Sequence, residues 1–62
     1  MDEFILRIST GNAAFDDDAR GEIARILRFV ADRCDRCEVA QGHDMPLYDT
    51  NGNKVGRYEW TD

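Results

Sequence analysis

The sequence contains little of the material from which catalytic sites are built. It has one histidine, His43, and one serine, Ser9. A Ser-His-Asp triad would require these two residues, more than thirty positions apart, to meet, and no neighbouring base activates Ser9. No Gly-rich loop of the kind that cradles phosphate groups is present. The residues therefore predict a protein that is not an enzyme.

Long apolar runs and an excess of cations are also missing. No stretch approaches the roughly 18 apolar residues of a membrane span, and the acidic start Met1-Asp2-Glu3 is unlike the basic start of a signal peptide. The 13 acidic and 8 basic residues give a net charge of −5, whereas nucleic acids and anionic lipids attract Lys and Arg. We expect a cytoplasmic protein whose charge suits a basic protein partner or solubility alone.

The chain has the size and composition of one folded domain, spanning residues 1–62. An apolar fraction of 42% and a charged fraction of 34% are ordinary for a globular protein. A chain this short buries only about 60% of the surface that it exposes when unfolded. Its stability is therefore expected to be low, and a disulfide, a metal or a second subunit would add to it.

Two hydrophobic patterns predict the first strand and the helix. Phe4, Leu6 and Ile8 alternate on one face of a strand over residues 3–9. A helix is predicted over residues 17–36, with Asp16-Asp17-Asp18 at its N-cap and first turn. Apolar residues recur at spacings of three and four and form its core-facing stripe: Ala19, Ile23, Ile26, Leu27, Val30 and Cys34. Glu22 with Arg25, and Asp32 with Arg36, are spaced to form ion pairs on the outer face.

A hairpin is predicted over residues 45–60, because Asn51-Gly52 separates two strand-like runs. A two-residue type I′ turn would place Asp49 opposite Lys54 and Tyr48 opposite Val55. One face of the hairpin would then carry Met45, Leu47, Tyr58 and Trp60, and the other Tyr48, Val55 and Arg57. The predicted fold class is α+β, in the order β-α-β-β, with a three-stranded antiparallel sheet packed on one helix.

The pair Cys34-Asp35-Arg36-Cys37 is the only motif with a recognised chemistry. A redox pair belongs at the start of a helix, and this pair closes one. Zinc would find ligands in Cys34, Cys37 and His43, one short of the four that structural zinc prefers. The main expectation is no cofactor, with Cys34 acting as a small hydrophobe and Cys37 incidental. A small zinc-binding module remains the alternative.

One helix covers only one face of a three-stranded sheet, so apolar residues are left over. Phe29 lies off the main stripe of the helix, and Ile5, Tyr48 and Val55 are predicted to share the second face of the sheet. An apolar remainder of this kind indicates a partner surface or a homodimer.

Three runs of residues carry a resemblance to known proteins. They are F-x-L-x-I at 4–8 continuing into T-G-N-A-A-F-x-D-D at 10–18, E-x-A-R-I-L-R-x-x-A-D-R at 22–33, and L-x-D-x-N-G-N-x-V-G at 47–56. In these runs the chain resembles small phage and prophage accessory proteins. Many proteins of that group inhibit host defence, and anti-CRISPR proteins, several of them acidic DNA mimics, are the best known.

The resemblance and the charge together predict a phage-encoded inhibitor that binds a basic host protein, with a CRISPR effector complex as the specific candidate. Acidic residues would steer the partner toward the protein: Asp16, Asp17, Asp18, Glu22 and Asp49. Aromatic residues would anchor it: Tyr48, Tyr58 and Trp60. A structural homo-oligomer of phage origin is a further alternative.

Overall fold

The computed structural model describes residues 2–62 of the chain. Its elements are, in chain order, strand β1 (Glu3–Ile8), a short 3-10 helix (Ala13–Phe15), helix α1 (Ala19–Asp35), strand β2 (Asp44–Tyr48) and strand β3 (Lys54–Thr61). The strands form one antiparallel sheet in the order β1-β3-β2, and α1 packs on one face of it. The predicted β-α-β-β fold is confirmed.

The face of the sheet toward α1 carries the core. Leu6 lies opposite Tyr58 across β1 and β3, and Met45 lies opposite Tyr58 across β2 and β3. Tyr58 and Leu47 on this face, and Ile26 on α1, are at most 1% exposed. Burying a large apolar side chain stabilises a fold by about 1.5–3 kcal/mol. The buried apolar side chains are Phe15, Ile26, Val30, Leu47, Val55 and Tyr58.

Helix α1 begins two residues later than the sequence predicts. Asp18, with a non-helical backbone (φ −146°, ψ 77°), is the N-cap, and its side chain accepts a hydrogen bond from the backbone N–H of Gly21 at 3.0 Å. An N-cap residue satisfies a donor that has no partner within the helix. Asp16 and Asp17 therefore precede the helix as exposed residues, and only Asp18 has the predicted capping role.

The end of α1 is a Schellman motif centred on Cys37. The backbone N–H of Glu38 donates to the carbonyl of Arg33 at 2.9 Å, and that of Cys37 donates to Cys34 at 3.0 Å. Cys37 has a φ of 60°, in the left-handed region that glycine usually occupies at this position. The helix therefore ends beside the cysteine pair, as predicted.

The hairpin loop differs from the predicted type I′ turn. Asp49 donates its N–H to Asn53, and Gly52 donates to Asp49. Gly52 has a φ of 85°, and Asn51 does not have a positive φ. This is a three-residue loop with glycine in the left-handed position. It forms because the Asp49 side chain turns into the loop and accepts hydrogen bonds from the N–H groups of Asn51 and Asn53.

The new loop changes the register on one side of the hairpin. Leu47 lies opposite Gly56 as predicted, but Tyr48 lies opposite Lys54, and the register shifts between Leu47 and Tyr48. Val55 therefore has no partner of its own on β2. Its side chain is 4% exposed and belongs to the core, so the prediction that placed it on the outer face was wrong.

The core-facing stripe of α1 is also narrower than predicted. Ile26 and Val30 are buried, and Ala19 and Ile23 pack against the core. Leu27 is 47% exposed, and Cys34 is exposed. The small sheet is too narrow to cover both flanks of a helix. Glu22, predicted on the outer face, is instead buried.

Candidate functional site

An apolar cleft lies at the end of the molecule where α1 terminates. Phe4, Cys34, Val39 and Trp60 line it, and its volume is about 280 Å³. Phe4 and Trp60 are cross-strand partners on β1 and β3. They lie on the same face of the sheet as Tyr58, since side chains alternate along a strand. The helix ends before it covers this pair, so the apolar face of the sheet continues into solvent.

The two aromatic side chains of this cleft are partly exposed, and one of them contacts the ring of a buried core residue. Phe4 is 47% exposed and Trp60 is 39% exposed. The ring centroid of Phe4 lies 6.0 Å from that of the buried Tyr58, a separation at which aromatic rings attract each other. A partner would therefore meet aromatic side chains that the core already holds in place, and little conformational entropy would be lost on binding.

The chain segments that form the cleft carry several acidic residues. Each of these is exposed and lies next to a lining residue or at the end of β3: Glu3, Asp35, Glu38 and Asp62. Two arginines lie in the same region, and each already has an acidic partner. Arg33 Nε is 3.7 Å from Glu38, and Arg36 is 3.2 Å from Asp32. The segments that supply the apolar lining of the cleft thus also carry exposed acidic residues.

Three of the residues predicted to contact a partner are buried. Glu22 is 8% exposed, Asp49 is 5% exposed and Tyr58 is completely enclosed. Tyr58 fills the core, and its hydroxyl group has no hydrogen-bond partner within the described part of the chain. A partner cannot reach these side chains while the fold is intact. The structure thus places these three predicted contact residues inside the fold.

Glu22 joins the helix to the hairpin. Its two carboxylate oxygens accept hydrogen bonds from Nε and Nη2 of Arg25, both at 2.8 Å. The backbone N–H of Thr50 donates to the same carboxylate at 2.9 Å. The bonds from Arg25, assisted by that of Thr50, hold the pKa of Glu22 below its ordinary value although burial acts in the opposite direction. The carboxylate is therefore a structural element of the fold.

Asp49 organises the hairpin loop in a similar way. Its Oδ1 accepts hydrogen bonds from the backbone N–H groups of Asn51 and Asn53, and its Oδ2 accepts one from Asn12 Nδ2 at 3.1 Å. Burial acts to raise the pKa of Asp49, but the hydrogen bonds from Asn53, Asn12 and Asn51 outweigh it and the pKa is lowered. Sequence reasoning missed this role because Asn12 lies 37 positions away.

The remaining predicted contact residues are exposed but do not form one site. Asp16 and Asp17 precede the first turn of α1, whereas Trp60 lies beside Cys34 in its last turn. The 17 residues of α1 correspond to a length of about 25 Å. The acidic triplet and Trp60 are therefore at opposite ends of the molecule.

Tyr48 belongs to a second, smaller depression on the β2 side. It is 53% exposed, and Phe29, on the facing flank of α1, is 50% exposed. The depression has a volume of about 170 Å³ and is lined by Arg25, Ile26, Phe29, Leu47, Tyr48 and Asp49. Arg25 is engaged there by Glu22 and by the carbonyl of Tyr48. This surface is less apolar than the cleft.

The cysteines and the histidine do not assemble into a metal site. Cys34 and Cys37 are exposed and free, and His43 lies in the loop before β2. Within residues 2–62, no three side chains among His, Cys, Asp and Glu are grouped closely enough to hold a metal ion.

Comparisons with protein-family models, with curated proteins and with solved structures found no match. Within residues 2–62, no helix is long and apolar enough to cross a membrane. The chemistry of the exposed surface, above all of the cleft, is therefore the guide to function.

Proposed function

We propose that this chain is a non-enzymatic, phage-type inhibitor that binds a basic host protein in the bacterial cytoplasm. The observation that carries the proposal is the cleft, where Phe4 and Trp60 form an exposed apolar floor and the segments that line it carry exposed acidic residues. Aromatic side chains in partly enclosed pockets are typical anchors of protein interfaces. The acidic residues of these segments and the net charge of −5 suit a partner segment that contains both apolar and basic residues.

Trp60 is the central residue of the proposed interface. It was predicted as an anchor. It combines a large apolar surface with an indole N–H that could donate a hydrogen bond to a carbonyl of the partner. The net charge of −5 would accelerate the encounter with a basic partner, and this effect weakens as salt is added. Asp16 and Asp17, at the opposite end of the molecule, would contribute to this attraction at longer range.

The resemblance to phage accessory proteins supplies the specific candidate, a CRISPR effector complex. Such complexes hold nucleic acid in positively charged channels. An acidic protein that occupies such a channel would act as a DNA mimic and prevent the effector from binding its target. Inhibition would then require binding alone, without chemistry on the part of this chain.

The test begins with capture of partners from lysate of a bacterium that carries CRISPR systems. Tagged protein is washed at low and then at high salt, and bound proteins are identified by mass spectrometry. We expect that a basic nucleic-acid-binding protein is captured at low salt, released at high salt and identified. Expression of the chain in a CRISPR-immune strain should also restore plaque formation by the targeted phage.

The variant Trp60→Ala locates the interface, and Phe29→Ala is its matched control. Truncation of an interface anchor typically costs at least about 2 kcal/mol, so Kd should rise by about 30-fold in Trp60→Ala. Phe29 is similarly exposed, and its truncation should leave Kd unchanged. Unaltered binding by a folded Trp60→Ala protein, or capture of no basic protein at all, would contradict the proposal.

A double variant tests the steering charges. The substitutions Asp16→Lys and Asp17→Lys, combined in one protein, should slow association with the partner and reduce the dependence of the association rate on salt. Asp18 is left in place because it caps α1, so that a loss of fold is not mistaken for a loss of binding.

A further inference from the structure

The two edges of the sheet differ in their ability to accept another strand. At the β2 edge, Pro46 lies opposite Arg57. Proline lacks a backbone N–H, and at an edge it discourages pairing with a further strand. At the other edge, β1 contains no proline and pairs with β3 alone among the described residues. Only β1 therefore offers a complete row of backbone donors and acceptors.

The hydrogen-bonding pattern identifies which backbone groups of β1 face outward. Ser9 donates its N–H to Val55 on β3 at 2.7 Å. In an antiparallel ladder, the N–H and C=O of one residue point to the same side, and this side alternates along the strand. Arg7 and Ile5 therefore face β3 with Ser9, and Phe4, Leu6 and Ile8 direct their N–H and C=O groups to the open edge.

We propose that two copies of this chain associate through β1, with the strands antiparallel and Ile5 opposite Ile5 of the second copy. In this register the outward groups of Phe4 and Leu6 bond those of Leu6 and Phe4 in the other copy. Glu3 of each copy then lies opposite Arg7 of the other. Opposite charges in cross-strand positions stabilise a pair of strands.

The charges of β1 favour this register over its neighbours. A shift by two residues in either direction also keeps the outward groups paired, but it places Ile5 opposite Arg7 in one direction and opposite Glu3 in the other, and so separates the two opposite charges. Within a single copy, Arg7 lies opposite Arg57, and Arg57 already contacts Asp44 and Glu59. No ion pair joins Arg7 to an acidic residue within residues 2–62. The second copy would supply the acidic partner that Arg7 lacks.

An exposed apolar residue of α1 lies on the same side of the molecule as the β1 edge, where a second copy would be close to it. Leu27 lies two helical turns before Cys34 on one flank of α1, and Cys34 contacts the cleft formed with Phe4. That flank therefore faces the β1 edge, where Leu27 is 47% exposed. The two-fold axis is perpendicular to the sheet, so both helices lie on one side of a six-stranded sheet, and the exposed Leu27 of each helix is directed toward the other copy.

Sedimentation analysis of the full chain with charge-exchange variants tests the dimer and its register. The wild type should sediment as a species of about 14 kDa, twice the 7.1 kDa of one chain. Glu3→Arg alone and Arg7→Glu alone should each raise the dimer dissociation constant at least about tenfold, because each creates two like-charge pairs. The double variant Glu3→Arg/Arg7→Glu should restore it to within about threefold of the wild type.

The controls separate this pairing from general charge effects and from unfolding. Asp17→Arg makes the same charge change as Glu3→Arg at an exposed site away from β1 and should leave dimerisation unchanged. Circular dichroism verifies that each variant is folded. Amide hydrogen exchange of Phe4 and Leu6 should slow as protein concentration rises. A wild type that stays at the monomer mass at millimolar concentration, or a double variant that is not restored, would overturn the proposal.

Discussion

The carboxylate of Glu22, in the first turn of α1, accepts the backbone N–H of Thr50 from the hairpin loop at 2.9 Å. This bond connects two segments that are 28 positions apart in the chain, and Arg25 holds the carboxylate in place from the other side. An acidic residue at the start of a helix is usually explained by the helix dipole alone. Here it also fixes the position of the hairpin relative to the helix.

Replacement of Glu22 by glutamine should destabilise the protein markedly. The amide cannot accept both bonds from Arg25 while it also accepts that of Thr50, and the arginine loses its counterion. We expect the Tm to fall by about 10 °C in thermal unfolding followed by circular dichroism. Asp32→Asn, which removes an exposed ion pair with Arg36, is the control and should change the Tm by about 2 °C or less. Equal effects of the two substitutions would contradict the assigned role.

Stability should fall in acid because Glu22 and Asp49 have lowered pKa values in the fold. A carboxylate whose folded pKa lies below its unfolded pKa binds protons more readily in the unfolded chain. Its contribution is present in full above the unfolded pKa, near 4, and is lost as the pH falls through the lower folded pKa. Urea unfolding between about pH 7 and pH 2 measures this loss. The variant Glu22→Gln/Asp49→Asn should be less stable at pH 7 and show a flatter profile. An equally steep profile in the variant would assign the acid sensitivity to other groups.

Gly56→Ala should disrupt the sheet. A Cβ atom at Gly56 would overlap the backbone carbonyl of Arg7 on β1, and backbone atoms of paired strands cannot move apart without loss of the ladder. We expect a loss of at least about 3 kcal/mol, which for so small a domain amounts to partial or complete unfolding. Gly11→Ala is the matched control, since a Cβ atom there meets no atom within 4 Å. A cooperative melt of Gly56→Ala near the wild-type Tm would show that the strands are further apart.

Cys37→Gly should stabilise the protein. Cys37 occupies the left-handed position of the Schellman motif with a φ of 60°, which costs a residue with a Cβ atom about 1 kcal/mol relative to glycine. The Tm should therefore rise by about 5 °C. Cys37→Ala retains the Cβ atom and should leave the Tm near that of the wild type. A similar rise in both variants would indicate that removal of the thiol, and not relief of backbone strain, is responsible.

Much of the fold could be predicted because its signals are local. Phe4, Leu6 and Ile8 alternate as a strand does, and the apolar spacing of α1 is that of a helix with one buried side. The ends of α1 were predicted within two residues, from the aspartates at its start and the apolar spacing along it. The pairing of Leu47 with Gly56 followed from the position of Asn51-Gly52, although the turn itself is of another type.

The candidate site was less predictable because exposure depends on which element lies above each residue. Trp60 was predicted as an anchor from its residue type, whereas Phe4 was predicted only to share one face of a strand with Leu6 and Ile8. Phe4 is open because α1 ends before reaching it, and this depends on the length of the helix relative to the sheet. Glu22 and Asp49 were expected to meet a partner, whereas contacts with Thr50 and Asn12, distant in sequence, bury them.

The amino-acid sequence by itself determined the strands, the helix, the capping by Asp18 and the net charge, since each depends on neighbouring residues or on composition. Only the tertiary structure decided which carboxylates are buried, where the sheet is uncovered and which edge is open. These properties arise when the hairpin folds back onto the helix. A buried carboxylate is stable only where donors from several segments converge, and no spacing within one segment specifies that convergence.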